Sequence, residues 1–226
     1  MDEAIFLWLN QWNGDPAIFD SALRFSQLFH IKAVPFMLGV WALWFWCDTA
    51  QGATDIRNRL IALLLCTVPI ISVTRAIANY MPFVVRPMHT EGLEVKLHTG
   101  QNVLALDGWN SMPSDHASLF FALGLGLFMV HKGFGMLLLL WAAVVVSLPR
   151  IVMGLHWPSD IIAGAALGML TILVSMRPAL WIVERTPLVR VFETRKAIGY
   201  PLLFLATFEI ASMFELIRYL VTAIVE

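Results

Sequence analysis

Six stretches of this chain, at about residues 33–47, 60–80, 113–130, 133–149, 159–176 and 198–220, are nearly free of charge and rich in Leu, Ile, Val, Phe and Met. A helix on a soluble domain buries one face and solvates the other, whereas a segment that is apolar all round needs protein or lipid on every side. Charged residues make up 14% of the chain, against about 25% in a soluble domain, and the mean hydropathy is +0.75. The expected fold is therefore all-α: one membrane-embedded domain over residues 1–226, a bundle of about six transmembrane helices. Several windows hold only 14–18 charge-free residues, fewer than the ~20 that cross about 30 Å of hydrocarbon. Each must recruit flanking polar residues or sit in thinner bilayer.

The segment before the first window, residues 1–32, reads differently. Residues 16–32 open at Pro16 and mix Phe, Leu and Ile with Asp20, Arg24, Gln27 and Lys32, a pattern that fits an amphipathic helix in the interface or an irregular extension. The acidic start, without a basic n-region, does not read as a cleaved signal peptide. Cys47 and Cys66 both fall in apolar surroundings and indicate neither a disulfide nor a metal site. A net charge of −1 without a basic tail gives no reason to expect a nucleic-acid partner.

Charge is distributed unevenly between the links. The odd-numbered links hold eight basic residues (Arg57, Arg59, Lys132, Arg177, Arg185, Arg190, Arg195 and Lys196), the even ones three (Arg86, Lys96 and Arg150). That excess places the odd links in the cytoplasm and the even links outside. The even links share one side of the membrane, so SMPSDH (111–116) and PRIVMGLHWPSD (149–160) can meet in one site, together with the end of the second window.

Pro113 and Ser114 suit a helix start, and the free N–H groups of Ser114, Asp115 and His116 beside a serine hydroxyl make a cradle for a phosphate oxygen. Pro158 marks another helix start, leaving His156 just outside it and Asp160 in its first turn, where a carboxylate can hold one imidazole nitrogen and leave the other free to react. With His156 as nucleophile, His116 can protonate the departing oxygen and later accept a proton from water. Arg86 and Arg150 offer fixed cationic donors for phosphate oxygens. The structural alternatives are that the arginines anchor at the interface, that the histidines are polar caps, and that Asp160 complements a helix dipole. No metal is invoked, since carboxylates are not grouped as a Mg²⁺ site needs, although Asp107, Asp115 and Asp160 leave the option open. A carboxylate as deep as Glu209 in the last window is costly unless it faces a partner, a cavity or water; the structural alternative is a tilted or partly exposed helix, or a protonated Glu209 hydrogen-bonded within the bundle.

These residues resemble the type 2 phosphatidic-acid phosphatase superfamily, whose motifs are Lys, six residues, Arg-Pro; Pro-Ser-any-His; and Ser-Arg, five residues, His, three residues, Asp. Here stand Arg86-Pro87, then Pro113-Ser114-Asp115-His116, then Arg150, His156 and Asp160, within residues 75–170. The resemblance implies a six-helix membrane bundle without metal or other cofactor. It implies Arg86, Ser114 and Arg150 as phosphate ligands, His156 as the nucleophile that becomes phosphohistidine, Asp160 as its orienting partner and His116 as general acid. Two positions depart from the motifs: Asn79 stands where the lysine belongs, and Pro149 where the serine precedes Arg150. Arg75, one helical turn below Asn79, or Lys96 from the loop is expected to supply the missing cation. The loop 88–112, with His89, Glu91, Glu94, His98, Asp107 and Trp109, is long enough to cover the site.

The resemblance extends to bacterial undecaprenyl-diphosphate phosphatases. It implies an enzyme of the bacterial inner membrane that acts at the periplasmic or outer face on a lipid diphosphate, with undecaprenyl diphosphate first. Phosphatidylglycerophosphate or phosphatidic acid, transfer of the phosphoryl group to another acceptor, and a non-catalytic lipid-phosphate binder or transporter remain the alternatives. Oligomeric state is not legible.

Overall fold

The computed structural model describes residues 1–14, 17–46, 52–98, 100–104, 106–217 and 219, and among them there are helices and no strand. Three short N-terminal helices, α1 (Asp2–Asn10), α2 (Ala17–Ser26) and α3 (Phe29–Lys32), precede α4 (Val34–Trp46) and α5 (Ala53–Tyr80). The long loop that follows contains a 3₁₀ turn, Pro87–His89. Then come α6 (Asp115–Val130), α7 (Lys132–Trp141), π-helical turns at Ala142–Ser147, and α8 (Leu148–Val152). The chain continues through α9 (Pro158–Arg185), α10 (Leu188–Thr194) and α11 (Lys196–Ala211). Cys47 lies outside the described residues, and Cys66 is buried as a free thiol.

Each of the six apolar windows contains a helix, but the helix lengths differ from the sequence expectation. Ala53–Tyr80, Lys132–Val152 and Pro158–Arg185 are long and apolar enough to cross a membrane. α4, with 13 residues, reaches only about 20 Å at ~1.5 Å per residue. α5 starts well before residue 60 because its first turns absorb charge: Arg59 pairs with Asp55 at 2.9 Å, and Arg57 reaches Glu193 ahead of α11 at 2.7 Å. α11 stops at Ala211, short of residue 220. Met213 and Phe214 follow with φ of 56° and 60°, and the Phe214 N–H returns to the Glu209 carbonyl, a helix-ending left-handed turn. Glu209 itself is buried.

Lys132–Val152 is one helix with a widened middle. Pro149 has no N–H and its ring would clash with the carbonyl four residues back, so a regular α-turn cannot run through it. The π-helical turns sit directly before that position and deliver Arg150 to the bundle end.

The bundle packs around α9, which lies along both α5 and α6. Gly164 and Gly168 permit the α6 approach. A β-carbon on Gly168 would stand 2.0 Å from the Ser118 carbonyl oxygen, and one on Gly164 would stand 2.5 Å from that of Ser114. The small-residue face thus fixes the separation between the two site-bearing helices. Below it, Phe36, Trp44, Leu60, Leu63, Phe120, Leu123, Leu127 and Ile172 form the apolar core.

The N-terminal segment is a docked structure rather than an irregular tail. Asn10 donates to the carbonyls of Lys96 (2.9 Å) and Val152 (2.8 Å), Phe6 packs edge-on against Trp157, and the Asp2 carboxylate accepts from the Ser159 N–H at 3.0 Å. α1 therefore braces the end of the bundle where α8 gives way to α9.

Candidate active site

The end of α5, the start of α6 and the α8–α9 junction lie at the same end of the bundle, around a cavity of about 190 Å³. Its walls include Arg75, Arg86, His116, Arg150, His156 and, on the loop side, Trp109. Two segments more than thirty residues apart in sequence thus meet, as the two polar runs led us to expect.

The His156 side chain is held in one tautomer. Its Nδ1 lies 2.9 Å from the Ser111 carbonyl, which can only accept, so Nδ1 carries the hydrogen. Nε2 then keeps its lone pair and faces the cavity beside Arg86 Nη1, a donor, at 3.3 Å. Asp160 Oδ2 is more distant from Nδ1, at 3.5 Å, and takes its hydrogen bonds from the Ser111 hydroxyl and the Trp157 N–H. Ser111, a residue the motif reading did not single out although it opens the SMPSDH run, donates its hydroxyl to this carboxylate while its carbonyl holds the imidazole, and its Oγ stands as far from Nδ1 as Oδ2 does, at 3.5 Å. Burial lowers the imidazole pKa to about 4, with Arg150 and Arg86 pushing the same way and Asp160 opposing them. Neutral imidazole is the form a nucleophile requires.

Arg86 and Arg150 are both about 95% buried, at 5% relative exposure each. Arg86 donates to the carbonyls of Leu155 and Asn110, and Arg150 donates to Gln27 Oε1 at 3.3 Å. Among the described residues neither Nε has a hydrogen-bond partner. A buried guanidinium with incomplete donors is costly unless an anion completes it. Burial lowers the Arg86 pKa, and nearby Asp160 and Asp115 act against that shift.

Arg75 enters the same cavity, where its guanidinium donates to Asp115 Oδ2 at 2.9 Å and stacks on Trp109 at 4.4 Å. Asn79 is exposed and takes no part in the cavity wall. Lys96 lies elsewhere: its N–H donates to Asn10 Oδ1 and its Nζ to the Gln11 carbonyl, so it anchors α1. Ser114 is the α6 N-cap, its Oγ accepting from the Ala117 N–H while its own N–H donates to the Asp160 carbonyl at 3.1 Å. His116 lines the cavity one residue beyond Asp115. Among the described residues no group of three or more His, Cys, Asp or Glu could hold a metal ion.

The sequence profile of the PAP2 superfamily matches residues 81–184, from the end of α5 through nearly all of α9. The similarity covers just under half of the chain. Over 96 residues it is 38% identical to "Bacitracin transport permease protein BcrC" of Bacillus licheniformis, covering 42% of this chain and 41% of that protein. Over 140 residues it is 27% identical to "Putative undecaprenyl-diphosphatase YbjG" of Escherichia coli (strain K12), covering 62% and 63% respectively. The chain thus spans less than two thirds of the length of either relative. No solved structure matches it. The PAP2 match contains every motif residue but leaves out Arg75 and the whole N-terminal segment.

Because the Ser111 hydroxyl holds the Asp160 carboxylate beside the imidazole, Ser111→Ala is expected to lower kcat by about 5- to 20-fold while KM changes little. The Nδ1 contact survives, since it is made to the main chain. Steady-state kinetics on the purified variant checks this.

Proposed function

We propose that the protein is a membrane phosphatase that removes the terminal phosphate of a lipid diphosphate through a phosphohistidine on His156. The observation that carries this reading is the cavity's charge: three guanidinia, from Arg75, Arg86 and Arg150, face one carboxylate, Asp115, beside the free Nε2 of His156. That composition favours an anion carrying two or more charges and places a nucleophile against it.

In this reading the guanidinia and the N–H groups at the start of α6 hold the nonbridging oxygens. His156 Nε2 bonds to the terminal phosphorus as the bridging oxygen–phosphorus bond breaks, and the lipid monophosphate leaves with that oxygen and a proton from His116. His116 then takes a proton from water as the water's oxygen attacks the phosphohistidine, releasing inorganic phosphate and restoring His156. The arginines supply the electrostatic stabilisation, so the proposed reaction uses no metal. The placement of the basic links supports a site on the outer face of a bacterial inner membrane.

Undecaprenyl diphosphate is the preferred substrate, supported by the printed name of the Escherichia coli relative. Phosphatidylglycerophosphate and phosphatidic acid follow. Transfer to another acceptor in place of water uses the same phosphohistidine. The printed name of the Bacillus relative favours a second reading, a lipid-phosphate binder or transporter without turnover.

Phosphate release by the purified protein in detergent and chelator separates these readings. The expected result is release from undecaprenyl diphosphate exceeding that from phosphatidylglycerophosphate or phosphatidic acid. Absence of release from every phosphorylated lipid favours the binder, and a requirement for added metal overturns the proposed chemistry.

A further inference from the structure

The family's motif lysine is missing at Asn79, yet a lysine reaches the site from a different part of the chain. Lys32, the last residue of α3, places Nζ 3.4 Å from His116 Nε2 across 84 positions of sequence. It lies outside the PAP2 match.

A second cavity, of about 240 Å³, has His116 but not His156 in its wall. It is lined by Lys32, His116, Phe29, Phe120, Ser212 and Met213, and Glu215 lies at its exposed edge. His116 and Met213 line both cavities, so the two are contiguous. The left-handed turn at Met213 brings α11 over this junction. Beyond it lies a larger recess, about 360 Å³, with Phe29, Phe208 and Leu216 in its wall beside Glu209 and Glu215.

The geometry points to a second phosphate subsite, in which Lys32 binds the phosphate that stays on the lipid when the terminal phosphate is removed. The inference rests on the reading of His156 as nucleophile and His116 as general acid. Attack from His156 drives the leaving oxygen toward His116, and a diphosphate's leaving group is itself an anionic phosphate. An ammonium carries three N–H donors, and once His116 is protonated as the acid these can turn to that group's oxygens. A monophosphate ester leaves as an alcohol and has no charge to place there. The subsite therefore favours diphosphates over monophosphates by holding the negative charge on the nonbridging oxygens of the retained phosphate, which a monophosphate ester lacks. The recess beyond, with Phe29, Phe208 and Leu216 in its wall, gives the tail its direction.

The surroundings of Lys32 support a responsive cation. Burial, and then repulsion from Arg150, lower its pKa to about 8. His116 is its other near neighbour, with Glu215 in the shared cavity wall. The ammonium is present below about pH 8 and lost above it in the free protein.

The test compares farnesyl diphosphate with farnesyl monophosphate, two substrates with one tail, by phosphate release in detergent. Lys32→Met is expected to lower kcat/KM for the diphosphate by about tenfold or more and for the monophosphate by no more than about threefold. Wild type is expected to lose diphosphate kcat/KM above about pH 8, a limb that the monophosphate profile and the variant both lack. Equal losses on both substrates, or no loss on either, overturn the subsite while leaving the phosphatase reading in place. Wild-type inactivity on both overturns that reading and the subsite with it. Lys32→Gln, of different shape and also uncharged, must give the same ratio; a preserved wild-type ratio in Lys32→Gln overturns the assignment.

Discussion

His156→Ala is expected to reduce kcat by about 10³-fold or more on every phosphorylated lipid the protein turns over, with a far smaller change in KM. The imidazole is buried, its Nδ1 hydrogen is committed to the Ser111 carbonyl, and its Nε2 faces the guanidinia-lined cavity. In the proposed reaction, removing it deletes the atom that would bond to phosphorus but leaves Arg75, Arg86 and Arg150 to hold the ligand, which is why binding is expected to persist. Because burial holds the imidazole pKa near 4, the nucleophile is unprotonated from about pH 5 upward. An acid limb of kcat/KM above that range belongs to another group. Steady-state kinetics of wild type and variant between these limits checks both statements.

His116→Ala carries the second large effect, about 10²- to 10⁴-fold in kcat for a lipid diphosphate. Its imidazole stands between the phosphate cavity and the Lys32 cavity, the position a proton donor to the departing oxygen must occupy. The loss should depend on the leaving group. For p-nitrophenyl phosphate, whose phenolate leaves without a proton, the same substitution is expected to cost about tenfold or less in the first half-reaction, read as a burst of nitrophenol. Equal losses on both substrates would assign His116 to phosphate binding instead of proton transfer.

Much of this arrangement could be read before any coordinates. The apolar windows mark the helices because a segment without charge on any face is stable only among other helices or lipid, and Pro113 and Pro158 mark two helix starts through their missing N–H. Helix ends were less legible. α5 and α9 extend past their apolar windows because Arg59, Arg57 and Arg185 find partners in Asp55, Glu193 and the Trp181 ring, and no hydropathy pattern records a pairing. The left-handed turn that stops α11 uses Met213 and Phe214, residues with no preference for that conformation.

The candidate site divides the same way. Arg86, His116, Arg150 and His156 announced themselves by spacing, and the helical offset from Asn79 brought Arg75 into view. Ser111 was in plain sight, but its role depends on a hydroxyl reaching Asp160 from 49 positions away. Lys32 carried no signal at all: it closed an amphipathic stretch, and only the docking of α1–α3 against the bundle end brings it to His116. Lys96 gave the opposite lesson, since a cation in the right loop is used to hold α1.

The account turns on a covalent bond between His156 and phosphorus, and rapid-quench trapping with a lipid diphosphate labelled in its terminal phosphate tests that bond most directly. The expected result is protein-bound label within one turnover, stable in base, lost in acid, mapped to His156 and absent from His156→Ala. Undiminished phosphate release with no bound label at any quench time, or equal labelling of His156→Ala, would contradict it.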